Sequence, residues 1–181
     1  MEELQKELLN NSFDPTIDLP VKLPDAAGAY LISAKSIDVL PTSMKELKFK
    51  TVNGLPVIYV GIAGRPTSKV KSLRKRDYKT HFNGTARRST LRKSLGVLFK
   101  FEKEFENQKS NSKYKFSRSQ EAQLTKWMQE NLTMNFVRIS NPMEFEKFII
   151  MAYEPPLNIQ DNHSETNREF RRELKRLRVL R

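Results

Sequence analysis

Two apolar segments, PVIYVGIA at residues 56–63 and GAYLISA at residues 28–34, are rich in β-branched and aromatic residues and are bounded by glycine and proline. Such segments are typical of β-strands, and we expect these two to pair. Residues 133–139 alternate well enough to predict a third strand. Asn53-Gly54 suits a tight turn, so the connection before residue 56 is expected to contain a loop or an extra hairpin.

Helical patterns account for most of the remaining chain. Residues 2–9 and 68–81 each predict a helix, and Ser89 marks the start of another, whose leucines repeat at helical spacing. Later helix starts are marked by residues typical of N-termini: Ser117 with Gln120, Asn141 with Pro142 and Glu144, and Thr166 with Glu169. The expected fold class is therefore α+β, with a small, mainly antiparallel three-stranded sheet flanked by helices and with extra N- and C-terminal helices.

The length of 181 residues and the absence of a linker-like segment predict a single core. We expect the main domain over residues 25–162, after an N-terminal helix and lead-in at 1–24. Residues 163–181 are expected to form a basic C-terminal helix packed on the same domain.

Cysteine is absent and histidine occurs twice, which excludes disulfide frameworks and Cys/His zinc sites. A metal ion would therefore have to bind oxygen ligands. No segment approaches the roughly 20 apolar residues of a membrane span. The expected location is cytoplasmic, with no membrane partner.

Basic residues exceed acidic ones by 33 to 21, which gives a net charge of +12. Residues 65–100 hold twelve lysines and arginines against a single acid, Asp77. A concentrated basic block with helical apolar positions favours a binding surface for a polyanion, most often nucleic acid. The alternative is a solvated helix face with no partner.

Specific motifs lie on these elements. Gly28-Ala29-Tyr30 and Tyr59-Val60-Gly61 resemble the two signature triplets of the GIY-YIG nuclease family, and Leu73-Arg74-Lys75-Arg76 resembles its L-x-x-R helix motif, with His81 close behind. Glu146 stands twelve residues before Asn158, which follows Pro155-Pro156, as in the acidic helix and tail of that family. The resemblance covers residues 25–162 and implies a metal-dependent DNA endonuclease.

The resemblance implies a single divalent metal, Mg²⁺ or Mn²⁺, with Glu146 as its only protein ligand. The helical pattern supports a site there, because Glu146 lies at the edge of an apolar stripe formed by Phe145, Phe148 and Ile149. A carboxylate in that position borders the core and lines a cleft. An isolated rim carboxylate that caps a helix or forms an ion pair is the structural alternative.

The two triplet tyrosines, Tyr30 and Tyr59, are implied to hold or deprotonate the attacking water. Alternation places Tyr59 on the same side of its strand as Val57, Gly61 and Ala63, a face small enough to admit a phosphate. Tyrosines on strands are otherwise packing residues.

Arg76 is the expected cation for the transition state, because a guanidinium stays charged and matches a phosphate with two donors. Arg74 is the alternative. His81 would orient the nucleophile or protonate the leaving group, and Asn158 would brace the site or contact a phosphate. The residues expected to contact DNA are Arg74, Lys75, Arg87, Arg88, Arg92 and Lys93.

Three departures from the family pattern stand out. The spacing between the two triplets is longer than the compact form, so residues 35–55 are interpreted as an insertion. Ile62 occupies a position where many members carry a basic residue. The spacing from Arg76 to His81 is one residue longer than usual, which leaves the register of that helix open.

Two other functions remain. Pro24-Asp25 with Glu46-Leu47-Lys48 forms a PD…ExK string typical of another nuclease class, but it leaves Tyr59 and Glu146 without a role. A non-catalytic nucleic-acid-binding protein on the same scaffold would explain the charge equally well. For an enzyme, a restriction-like or repair role is expected, and a homodimer would deliver two sites to two strands.

Overall fold

The computed structural model describes residues 1–65, 71–106 and 113–180. Its strands are β1 Ser12–Phe13, β2 Gly28–Ala34, β3 Thr51–Val52, β4 Leu55–Ala63, β5 Glu104–Phe105, β6 Tyr114–Lys115 and β7 Leu132–Arg138. Its α-helices are α1 Glu2–Asn10, α2 Thr90–Leu98, α3 Arg118–Asn131, α4 Met143–Tyr153 and α5 Arg168–Val179. A π-helix spans Arg74–Phe82, and short 3₁₀ helices span Pro20–Lys22, Thr42–Met44 and Ala86–Arg88.

The main sheet has five strands in the order β1-β7-β2-β4-β3, and every pair is antiparallel. The three predicted strands form its centre. The expectation of three strands was wrong because β1 and β3 are two-residue edge strands, too short to show a period in the sequence. The predicted hairpin turn is present, with Asn53 at φ 52° and Gly54 at φ 78° between β3 and β4, as a two-residue turn requires.

A second sheet of two strands, β5 and β6, was not predicted. Its strands lie on either side of residues 107–112, which are outside the described part of the chain. Tyr114 on β6 is fully buried, so this small sheet contributes to the core.

The core lies on both faces of the main sheet. One face packs Leu8 of α1 and Phe145 of α4 against β2, β4 and β7, and the other packs the leucines of α2 and α3 and the aromatic end of the π-helix. A bulge opposite Ile32 and Ser33 interrupts the alternation of β4. The prediction that Val57 shares the face of Tyr59 is therefore wrong, because the two lie in opposite clusters.

The helix predicted over residues 68–81 is a π-helix at Arg74–Phe82, and residues 66–70 lie outside the described part of the chain. Its hydrogen bonds reach back five residues, as in Asn83 N–H to the Tyr78 carbonyl at 3.0 Å. Residues five apart therefore share a side, and Arg76 and His81 both face Tyr30. The π-helix accommodates the one extra residue between them, a device that recurs at functional sites.

The predicted helix starts are only partly confirmed. The capping box of Ser117 and Gln120 is present at α3. Asn141 does not cap α4, because Pro142 occupies the position before the helix and supplies no side-chain cap. Thr166 does not cap α5 either: Asn167 takes that position in a left-handed conformation, and its amide binds the Lys48 backbone instead. No helix in the described ranges has both the length and the apolar character needed to cross a membrane.

Candidate active site

A cavity of about 610 Å³ opens beside β4 and is bordered by the π-helix, α2, α4 and α5. Four residues predicted as catalytic line it, namely Tyr59, Arg76, Glu146 and Asn158. They come from β4, the π-helix, α4 and the segment that follows α4. We call Tyr59, Arg76 and Glu146 the cavity wall, because they offer the site a hydroxyl, a guanidinium and a carboxylate.

Tyr59 reaches the cavity from the middle of β4. Its hydroxyl lies 2.9 Å from Thr90 Oγ1 at the first residue of α2, and 8% of the residue is exposed. Thr90 was not predicted as a site residue. No local pattern signals this contact, because the two residues are 31 positions apart in the sequence.

Tyr30 lies behind the cavity wall. Its hydroxyl is 2.6 Å from His81 Nε2, and His81 Nδ1 is 2.6 Å from Ser89 Oγ. Room for the Tyr30 hydroxyl exists because Gly61 has no side chain: a Cβ there would lie 2.4 Å from the hydroxyl oxygen. Tyr30 of the first triplet can therefore approach the second triplet this closely only because residue 61 is glycine.

Tyr30 and His81 have no exposed surface. Burial raises the pKa of Tyr30 well above 10.0, against the opposing charge of Arg76. Burial and the charges of Arg76 and Arg92 lower the pKa of His81 well below 6.5. Both groups are therefore neutral near pH 7. Neither side chain lines the cavity, and the roles expected for them at the attacking water and the leaving group stay predictions.

Arg76 faces the cavity from the π-helix, with the Tyr30 hydroxyl near enough to be its hydrogen-bond partner. The facing tyrosines raise the pKa of Arg76 above its usual value, so its charge is permanent. Its Nε is buried and has no hydrogen-bond partner among the described residues. The guanidinium is thus held near two phenols with donor capacity to spare.

Arg74, the alternative catalytic arginine, lies elsewhere. Its Nε donates to the Leu23 carbonyl at 2.9 Å and a terminal nitrogen donates to the Val21 carbonyl at 3.2 Å. These bonds tie the N-terminal lead-in to the π-helix. The geometry therefore favours Arg76 over Arg74 for the cavity.

Glu146 lies near the start of α4 and is 7% exposed. Its Oε2 pairs with an Arg65 nitrogen at 2.6 Å. Burial raises the pKa of Glu146, opposed by Arg65 and assisted by Asp161, and both neighbours also line the cavity. Neither was predicted as a site residue. Ile62 occupies the position where many family members carry a basic residue. Arg65, three positions later, supplies a basic group to the cavity instead.

The donor set can be tested against a divalent metal. The described residues contain no group of three His, Cys, Asp or Glu side chains that could hold an ion. One buried carboxylate with a second acid, Asp161, near enough to raise its pKa suits a hard cation that keeps most of its own waters. Glu146 therefore fits Mg²⁺ or Mn²⁺ and does not fit a metal that requires a full protein shell.

Asn158 braces the strand that carries Tyr59. Its Oδ1 accepts from the Val60 N–H at 2.8 Å, and its Nδ2 donates to the Val60 carbonyl at 2.9 Å. The side chain thus takes the place of a neighbouring strand at this point of β4. Both halves of the amide are occupied, which favours the bracing role over a phosphate contact.

The structure corrects the DNA contact predicted for Arg92. It is fully buried, donates through Nε and a terminal nitrogen to Glu121 Oε2 at 3.1 and 2.7 Å, and donates to the His81 carbonyl at 3.0 Å. The prediction that it contacts nucleic acid is wrong, because no part of it reaches the surface. We call the buried group behind the cavity wall, Tyr30, His81, Ser89 and Arg92, the inner layer.

The other residues predicted to contact DNA are spread over the surface. Lys93 is half-buried and lines the cavity. Lys75, Arg87 and Arg88 are exposed, and Arg87 pairs with Glu106 at 2.7 Å. These positions leave a role in DNA binding as a proposal.

A comparison with models of protein families gives a match. The model of the GIY-YIG catalytic domain matches residues 28–179, a range that contains the whole cavity wall and inner layer. Comparison with curated proteins and with solved structures gives no match. The chain belongs to the GIY-YIG catalytic domain family.

Proposed function

We propose that the protein is an endonuclease that hydrolyses DNA phosphodiester bonds with one divalent metal ion, Mg²⁺ or Mn²⁺. Membership of the family indicates nuclease activity in general. The observation that carries the proposal is the cavity wall, where Tyr59, Arg76 and Glu146 meet from three separate elements in one cavity. These groups match the needs of phosphodiester hydrolysis, which are a positioned water and stabilised charge on the phosphate oxygens.

Glu146 would hold the metal. When bound, the ion would neutralise phosphate charge and lower the pKa of a coordinated water. The carboxylate is desolvated and is paired on one oxygen with Arg65. A second acid, Asp161, stands nearby and adds negative charge that attracts a cation.

Arg76 binds the non-bridging phosphate oxygens. It stays charged at every working pH, and its fork of donors matches a phosphate, unlike a lysine ammonium. The inner layer fixes its position, since the Tyr30 hydroxyl that faces it is itself held by His81. Preorganised charge of this kind needs no rearrangement when the transition state forms.

Tyr59 holds the attacking water through its hydroxyl, which Thr90 orients. Asn158 keeps this part of β4 in place through both polar groups of Val60. Tyr30 and His81 act as positioning residues in this scheme, because neither lines the cavity.

The charge of the cavity supports a polyanionic substrate. Among the described residues, five basic side chains line it against two acids: Arg65, Arg76, Lys93, Lys175 and Arg178 against Glu146 and Asp161. Such a surplus raises the local concentration of an anion. Lys75, Arg87 and Arg88 are available outside the cavity for sequence-independent phosphate contacts.

The test is incubation of supercoiled plasmid with the wild type, with Glu146→Gln and with Glu144→Gln, in Mg²⁺, Mn²⁺ or EDTA. Glu144 is an exposed acid in the first turn of the same helix and is the matched control. We expect nicking by the wild type and by Glu144→Gln with metal only, and none by Glu146→Gln. DNA binding without nicking in any divalent metal would instead establish the non-catalytic binding protein.

A further inference from the structure

Besides the cavity wall, the lining of the cavity includes residues of α2, α5 and β6. Lys93 of α2 and Lys175 and Arg178 of α5 line it. We call these three residues the basic patch. Tyr114 of β6 also lines the cavity. None of these groups has a role in the chemistry assigned to the cavity wall.

Tyr114 carries a hydroxyl with no partner. The residue is fully buried, and its hydroxyl makes no hydrogen bond among the described residues. Its ring is fixed between Phe105 and Phe116, with centroid distances of 5.6 and 5.8 Å. Burial raises the pKa of Tyr114 to about 12, so it is a neutral donor at pH 7. A buried unpaired hydroxyl costs free energy that a ligand acceptor would recover.

The two residues of the basic patch on α5 differ from their neighbours on that helix. Arg172 and Arg176 of α5 pair with Glu169 and Glu173 at 2.6 and 2.5 Å, whereas Lys175 and Arg178 form no ion pair within the described ranges. Burial lowers the pKa of Lys93, and the charge of Arg178 lowers it further. Positive groups are therefore held close together around an unused hydroxyl donor.

We propose that the basic patch and the Tyr114 hydroxyl bind a second phosphate of the DNA strand, a neighbour of the phosphate that is cleaved. This inference rests on the proposed function, because the same cavity holds both sites. A phosphate oxygen would accept from Tyr114 and balance the charge of Lys175 and Arg178. The second contact would fix the direction in which the strand crosses the cavity wall.

The experiment measures binding without cleavage. Fluorescence anisotropy of a labelled DNA duplex is recorded across a salt series, with Glu146→Gln as the inactive background. Three variants are compared in it: Tyr114→Phe, the double variant Lys175→Ala with Arg178→Ala, and the control Arg172→Ala with Arg176→Ala. The two double variants change net charge equally, and the control residues are exposed and paired outside the cavity.

We expect the Lys175 and Arg178 variant to weaken binding more than tenfold and to reduce the slope of log K against log salt by about 1 relative to the control. Tyr114→Phe should weaken binding about fivefold to tenfold, with an unchanged salt slope, because it removes one hydrogen bond to a charged group and no charge. Circular dichroism checks that each variant is folded.

The outcomes separate the two proposals. If both test variants bind like the control, the second phosphate site is overturned, whether or not the wild type cleaves DNA. If they bind more weakly while the wild type cleaves nothing, the second phosphate site stands and the proposed catalysis fails. Equal losses for the control variant would overturn the site as well, because the effect would then be one of net charge alone.

Discussion

The cavity and the inner layer contain chemically related residues with opposite surroundings. Tyr59 and Tyr30 come from matching triplets, yet Tyr59 borders the cavity while Tyr30 has no exposed surface. Lys93 and Arg92 are adjacent, yet Lys93 lines the cavity and Arg92 is locked to Glu121. The first pair consists of two tyrosines and the second of two cations, so burial rather than chemical class separates their surroundings. Substitutions in the inner layer should cost stability, and those in the cavity wall should cost activity.

The largest effect is expected for Arg92→Met. Removing the guanidinium leaves Glu121 buried without its charged partner, which should lower the free energy of unfolding by about 3–5 kcal/mol. Urea denaturation measures it, with Lys93→Met as the adjacent control, expected to change stability by less than about 1 kcal/mol. Equal losses for the two variants would contradict the division between the inner layer and the cavity.

Arg76→Ala should act on catalysis. Loss of one preorganised donor to the transition state should reduce the single-turnover cleavage rate by about 10²–10³-fold. Arg74→Ala is the matched control: it should keep the rate within a few fold and lose about 1–2 kcal/mol of stability with its two carbonyl contacts. The reverse result would assign the catalytic cation to Arg74.

The sequence predicted the parts of the fold that depend on local patterns. The central strands and the capping box at Ser117 follow from short-range rules. The edge strands β1 and β3 were missed because two residues show no period. Asn141 and Thr166 were assigned as caps from residue type alone. The residue that precedes each helix is a different one, Pro142 at α4 and Asn167 at α5.

The motifs predicted part of the cavity lining. Tyr59, Arg76, Glu146 and Asn158 line one cavity, whereas Arg65, Thr90 and Asp161, which line it too, were not predicted. The burial of Arg92 depends on Glu121, 29 residues later in the sequence, and no local pattern links them. The π-helix brings Arg76 and His81 to Tyr30, which is 51 positions before His81 in the sequence. The spacing from Arg76 to His81 therefore left the register of the helix open.

Gly61→Ala probes the contact between the two layers. The new Cβ would meet the Tyr30 hydroxyl at 2.4 Å, so we expect a loss of about 1–3 kcal/mol in stability and a clear loss of cleavage. Gly54→Ala serves for comparison: its φ of 78° makes alanine unfavourable by about 1 kcal/mol, but no atom lies within 4 Å. Cleavage that survives Gly61→Ala unchanged would show that Tyr30 does not position the cavity wall.

The smallest effect concerns pH. The pKa of His81 is lowered in the folded protein, so the unfolded chain binds a proton below about pH 6.5 and the folded chain does not. Stability from this group is present above that pH and should fall by about 1 kcal/mol between pH 7 and 5.5. Urea unfolding of wild type, His81→Gln and His163→Gln measures it. Only His81→Gln should lose this pH dependence, and its persistence there would contradict a buried neutral His81.

The most direct test of the account is the location of the metal ion. Crystals of the wild type soaked in Mn²⁺ and measured at the manganese absorption edge should show one anomalous peak in contact with the Glu146 carboxylate, inside the cavity that Tyr59 and Arg76 line. Crystals of Glu146→Gln should lose that peak, and crystals of Glu144→Gln should keep it. A peak bound elsewhere, or one that survives Glu146→Gln, would contradict the role of the cavity wall as the catalytic site.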